Sequence, residues 1–90
     1  MIDCPARARF LPAVLSDDKG EPFTTPNALC IFERNLGEPG WRHAEVINRT
    51  YAGRPGVELV VRMATTIGNY DYLYDWVFNQ AAEIEVRVGA

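Results

Sequence analysis

The reactive side chains of this 90-residue sequence are few, and most stand too far apart to act together. Tyr70, Tyr72, Tyr74, Trp76 and Phe78 recur at every second position, with Asn69, Asp71, Asp75 and Asn79 between and beside them. The simplest role of such an aromatic stripe is the apolar face of a sheet. His43, after Trp41-Arg42, is the sole histidine, and a lone histidine is more often a surface or hydrogen-bonding residue than a metal ligand. Asp71 and Asp75 share one side of an extended strand about 13 Å apart, too far to work as a carboxylate pair. Cys4 and Cys30 are too few for a structural zinc site, which leaves a disulfide or two free thiols. A bridge between them is worth roughly 3–4 kcal/mol in the chain-entropy account. There is no Ser-His-Asp or Cys-His arrangement and no glycine-rich phosphate loop between a strand and a helix.

The elements that must position these residues are strands. Turn chemistry punctuates the chain at Ser16-Asp17-Asp18-Lys19-Gly20, Thr25-Pro26-Asn27, Gly37-Glu38-Pro39-Gly40 and Gly53-Arg54-Pro55-Gly56. The runs between them predict strands near 7–15, 28–34, 42–48, 57–67, 70–78 and 83–88, and Pro12 makes the first an edge or broken strand. Val57, Leu59, Val61, Met63 and Ile67 alternate with Glu58 and Arg62, and Ile84, Val86 and Val88 alternate with Glu83, Glu85 and Arg87. A period of two with one polar face predicts an antiparallel sheet packed on one side. Gly68-Asn69 predicts a tight bend or bulge between the fourth and fifth runs. The fold class is all-β, antiparallel, and part of a sandwich. Six strands with apolar faces call for a partner sheet, so residues 1–90 are expected to be a fragment of a larger domain whose apolar faces are not all covered within the chain.

Composition narrows the function classes. Nearly half the residues are hydrophobic and 23% are charged, which argues against wholesale disorder. The net charge of −3 and the scattered arginines give no footprint for nucleic acid or anionic lipid. No stretch has the length to span a bilayer, and Met1-Ile2-Asp3-Cys4-Pro5 shows no signal-peptide pattern.

The local sequence goes further than its composition. Leu59-Val60-Val61, Thr66 and Asn69-Tyr70-Asp71-Tyr72 closely resemble, in type and spacing, the quinone-site signature of copper amine oxidases: an apolar triplet, a Ser or Thr, then Asn-Tyr-Asp/Glu-Tyr. The flanks agree. Ile2-Asp3-Cys4-Pro5, Ala28-Leu29-Cys30-Ile31-Phe32-Glu33, Trp41-Arg42-His43, Tyr51-Ala52-Gly53 and Tyr72-Leu73-Tyr74-Asp75-Trp76-Val77-Phe78 each resemble segments of that family, so the likeness runs the length of the chain. One departure is the turn Asn79-Gln80-Ala81-Ala82, where relatives commonly carry a glycine; it puts the geometry of that hairpin in question.

The resemblance implies a primary amine oxidase that uses copper and topaquinone, turning primary amines into aldehydes with release of ammonia and hydrogen peroxide. It implies that Tyr70 is the topaquinone precursor and the Schiff-base electrophile, and that Asn69 orients the quinone, so that both contribute to the cofactor site. Misplacing a reacting group by about 1 Å can cost about 100-fold in rate. Asp71 is not expected to be the catalytic base, because on a strand it points away from Tyr70; Tyr72 and Thr66 also match the signature, with packing and strand hydrogen bonding at least as good a role for them as direct chemistry. The family's base lies upstream and its copper-binding histidines downstream, so the chain alone is expected to be inactive, with no metal ligand of its own. The resemblance also implies a Cys4–Cys30 disulfide, hence an oxidising extracytoplasmic compartment, a homodimeric parent, and a primary amine and dioxygen as partners. Two other readings remain at this point: a decayed homologue in which Tyr70 is never oxidised, and an independent β-sandwich binding module.

Overall fold

A computed structural model describes residues 2–90 as five antiparallel strands in one meandering sheet of order β1-β2-β3-β4-β5. They are β1 (Arg9–Ser16), β2 (Pro22–Glu45), β3 (Thr50–Ile67), β4 (Tyr70–Phe78) and β5 (Ile84–Gly89). The all-β antiparallel class read from the alternation is the one observed.

The strand count is one lower than expected, because the runs at 28–34 and 42–48 belong to a single strand, β2. The turn-forming clusters inside it do not reverse the chain. Pairing jumps from Leu11↔Leu29 to Ala13↔Thr25, and from Asn35↔Val57 to Pro39↔Pro55, so each cluster is absorbed as extra residues bulging from a continuous ladder. The side-chain oxygen of Asn35 accepts the Gly37 amide at 2.8 Å, and Gly37 takes φ +75°. Gly53 allows the two backbones to meet: a Cβ there would lie 2.9 Å from the Trp41 carbonyl oxygen. Beyond this bulged stretch β2 and β3 continue alone as a two-stranded ribbon, and the molecule is 69 Å long and only 23 Å across.

The two faces of the sheet differ in a way that composition did not predict. The alternation suggested that the apolar face would be packed and the charged face wet. Instead the covered face carries Cys30, Phe32, Glu58, Val60, Asp75 and Val77, with Val60 and Val77 almost fully buried. The N-terminal segment closes over it. Cys4, Ala8 and Phe10 pack on this cluster, and Cys4 is bridged to Cys30 with Cα atoms 6.5 Å apart. Glu58 and Asp75 are tolerated there because each is paired. Arg62 grips Asp75 through two bonds of 2.7 and 2.8 Å, donates a third of 2.8 Å to the Asp3 carbonyl, and lies 5.1 Å from the centre of the Phe32 ring. Glu58 accepts from Arg34 at 2.7 Å and from Arg87 at 3.4 Å. No buried side-chain polar atom among the described residues lacks a partner. The opposite face, with Leu59, Ile67, Tyr70, Phe78, Ile84, Val86 and Val88, stays exposed.

Two hairpin turns use one device. Asp17 Oδ1 accepts the amides of Lys19 and Glu21, and Asn79 Oδ1 accepts those of Ala81 and Glu83, all at 2.8–3.0 Å. Each turn then needs a left-handed residue: Gly20 at φ +81° in the first, Ala82 at φ +62° in the second. The missing glycine therefore does not abolish the β4–β5 hairpin; the Asn79 cap holds it and Ala82 carries the strain.

Three outcomes follow from these contacts. Ala82→Gly should raise stability by about 0.5–1 kcal/mol by relieving the left-handed alanine, offset in part by chain entropy; an unchanged or lower denaturation midpoint would contradict the turn geometry. The hydrogen bond from Arg62 holds the Asp75 carboxyl below the usual carboxylate range, with burial opposing it. Asp75 thus contributes stability above its unfolded pKa of about 3.9, lost as pH falls through the depressed folded value. Asp75→Asn should cost on the order of 3 kcal/mol at neutral pH and flatten the acid limb of the stability curve, measured by denaturant titration between pH 7 and 2. Finally, these 90 residues expressed by themselves should self-associate or bind a hydrophobic dye through the open face, and a dye-silent monomer melting cooperatively would count against that.

Candidate functional site

β3 and β4 are joined by two residues, Gly68 and Asn69, with Ile67 paired to Tyr70 across the turn. Gly68 has φ +63°, the left-handed value that a two-residue hairpin turn with glycine in its first central position requires. The expected bend at Gly68-Asn69 is therefore a full reversal. It fixes where every later side chain points. Cross-strand partners share a face, so Ile67–Tyr70, Thr65–Tyr72, Met63–Tyr74, Val61–Trp76 and Leu59–Phe78 all lie on the open face. Tyr72 and Tyr74 hold their rings 6.4 Å apart.

Tyr70 opens β4 at the end of this face and is 69% exposed, with Asn69 immediately before it in the turn. Its phenol is available to whatever covers the face. Asp71 points the other way, as the strand period requires. There it accepts a hydrogen bond of 2.6 Å from Thr66 Oγ1, its cross-strand partner. Its carboxylate is on the wrong side of the sheet to take a proton from anything bound at Tyr70. Asp75 is occupied by Arg62 on the covered face. Thr66 thus bonds across the strands on the face away from Tyr70, while Tyr72 lies on the open face opposite Thr65.

The structure does not bring the other chemistry-bearing residues to this place. His43 lies out on the β2–β3 ribbon opposite Ala52, exposed, with Nε2 3.6 Å from Glu45 Oε2. Cys4 and Cys30 sit beneath the covered face, disulfide-bonded, with no free thiol among the described residues. No group of three or more His, Cys, Asp or Glu side chains placed to hold a metal ion occurs among the described residues.

Two contacts escaped the reading of the sequence: the Arg62–Asp75 pair with its link to Asp3, and the Thr66–Asp71 bond. Both were within reach. Taking Gly68-Asn69 as a two-residue turn pairs residues symmetrically about it, which sets Thr66 against Asp71 and Arg62 against Asp75. The Asp3 contact had no such signal, since it joins positions far apart in the chain.

Comparison with known proteins is consistent along the whole chain. The family model described as "Copper amine oxidase, enzyme domain" matches residues 1–90. Amine oxidase [copper-containing] gamma 1 of Arabidopsis thaliana is 42% identical over 91 residues, which cover 98% of this chain and 13% of that protein. Primary amine oxidase of Klebsiella aerogenes is 42% identical over 93 residues, 98% of this chain and 11% of its own length. Amine oxidase [copper-containing] alpha 3, peroxisomal, of Arabidopsis thaliana is 42% identical over 90 residues, 97% of this chain and 13% of that protein. Among solved structures, Aspergillus nidulans amine oxidase superposes with a TM-score of 0.71 at 32% identity, over 96% of this chain and 12% of that one. The chain thus spans about an eighth of the length of these relatives. With a family model matching residues 1–90 and relatives 42% identical along nearly all of it, this chain belongs to the copper amine oxidase family.

Proposed function

We propose that these 90 residues form the quinone-bearing segment of a copper- and topaquinone-dependent primary amine oxidase. Tyr70 is the cofactor precursor, Asn69 holds the ring derived from it, and the parent protein oxidatively deaminates primary amines. The observation that supports this most is the placement of Tyr70. Its phenol starts β4 beside a glycine turn, on an apolar face left open within the chain, while the nearest acids point elsewhere.

The chain's own residues then do three things. The β3–β4 hairpin presents the ring at a defined place on the sheet. The apolar neighbours on that face supply a low-dielectric wall once it is covered, where electrostatic interactions are stronger. Asn69, adjacent in the turn, limits how far the ring can swing. Bound copper would supply activation of dioxygen and of the phenol; its ligands and the proton-abstracting carboxylate come, in this reading, from parts of the parent beyond residues 1–90. The chain alone is accordingly inactive, and the parent works as a homodimer. The disulfide suits an oxidising compartment. Because the Arabidopsis alpha 3 relative is named peroxisomal, family membership alone does not fix that compartment.

The test is made on the full-length parent loaded with copper in air. Tyr70→Phe should abolish amine oxidation with little effect on folding, since phenylalanine keeps the ring and loses only the hydroxyl. Asn69→Ala should still form quinone but turn over more slowly. Mass analysis of the Tyr70 peptide should show the oxidised residue in the parent and plain tyrosine in the isolated 90-residue chain. An unmodified Tyr70 in the copper-loaded, aerobic parent would overturn the catalytic reading and leave a non-catalytic homologue.

A further inference from the structure

Tyr70 is held in place by its backbone and hardly at all by its own side chain. It is 69% exposed, its cross-strand partner Ile67 is 62% exposed, and the turn between them is two residues long with Gly68 at φ +63°. A reversal this short, at the end of a ladder whose last apolar pair is open, is prone to fray. It is also where register matters most, because a slip of one residue would carry Tyr70 from the open face to the covered one. One side-chain bond crosses the hairpin directly next to that last pair. Thr66 Oγ1 donates to Asp71 Oδ1 at 2.6 Å, on the face opposite Tyr70.

We propose that Thr66 and Asp71 are positioning residues for the ring at Tyr70: their bond clamps the hairpin from behind and fixes the register and swing of the Asn69-Tyr70 backbone. This rests on the reading of Tyr70 as the quinone precursor. It gives Asp71 a task that its direction permits, since its carboxylate cannot reach the side of the sheet where Tyr70 lies. A charged acceptor makes the stronger partner for a hydroxyl donor, and the pair is correctly matched as donor and acceptor. The two strands have no bulge between Leu59↔Phe78 and Ile67↔Tyr70, so the clamp acts on a regular ladder and its effect passes straight to the turn.

The experiment compares Thr66→Val, Thr66→Ser, Asp71→Ala and the wild type in the full-length parent, by two routes. In the copper-free protein, amide hydrogen exchange at residues 68–70 should speed up about three- to tenfold in Thr66→Val and Asp71→Ala, the range expected for losing one net hydrogen bond, and return towards wild type in Thr66→Ser. In the copper-loaded protein, quinone titrated with a carbonyl reagent should remain near the wild-type content. The quinone absorption band should shift, and kcat should fall by a similar factor with KM less affected. A merely structural role would lower the melting temperature without moving the band or separating valine from serine. Thr66→Val is nearly isosteric at an exposed position, so it decides the matter if Asp71→Ala accumulates poorly. Unchanged exchange, band and kcat in Thr66→Val, with quinone present in the wild type, overturns the clamp alone. Absence of quinone from the wild type overturns the Tyr70 reading and the catalytic part of the proposal together, while the exchange comparison still reports whether the bond holds the turn.

Discussion

The register of β3 against β4 is the constraint on which the rest depends. Side chains alternate along a strand, so a single number, the residue at which the chain reverses, decides the face of every residue from Leu59 to Phe78. Gly68 sets that number because it takes a left-handed conformation that an L side chain resists. From it follow the exposure of the Tyr70 ring, the burial of Asp75 and the opposition of Thr66 to Asp71. In the proposed reading the ring at Tyr70 stands on one face and its structural support on the other, and one two-residue turn supplies the separation.

The covered face shows how a sheet can bury charge. Arg62, Asp75, Glu58, Arg34 and Arg87 occupy positions that the alternation marks as polar, yet the N-terminal segment folds over part of them. Buried pairs of this kind add little net stability compared with apolar residues, because both charges must be desolvated. They are, however, costly to break and directional. Arg62 in particular joins three separate pieces of chain, since it grips Asp75 on β4, reaches the Asp3 carbonyl and stacks on Phe32 of β2. The disulfide from Cys4 to Cys30 anchors the same segment one cross-strand step away, as Cys30 pairs with Arg62. The back of the sheet is thus tied down, which leaves the front free to be covered by other protein.

That front is where size becomes important. Five strands with one face covered only by a short segment cannot enclose an apolar core on both sides, and small sheets depend on partners for stability. Ile84, Val86, Val88, Leu59 and Phe78 form the exposed apolar row on that face. The two-stranded ribbon formed by the far halves of β2 and β3 has the same character, with little of its own to pack against.

Much of this was legible in the sequence because it is local. Alternating residues identified β3, β4 and β5, the Asn-Tyr-Asp-Tyr run with its upstream triplet pointed to the family, and Gly68-Asn69 marked the bend that places Tyr70. The Asp71 carboxylate was correctly assigned to the side away from Tyr70 from strand period alone. What was not legible was which residues oppose one another across the strands, the Cys4–Cys30 bridge implied by the family resemblance apart. Gly37 to Gly40 is chemically a turn, and only the pairing with β3 made it a bulge in a continuous strand. Ala82 looked like a missing glycine, and only the Asn79 cap showed why the hairpin tolerates it. Above all, the sequence marked one face of the sheet by its charges, Glu58, Arg62 and Asp75, whereas tertiary structure decided that this face is the covered one, because the chain returning from Cys4 to Phe10 packs on the apolar Cys30, Phe32, Val60 and Val77 that share it.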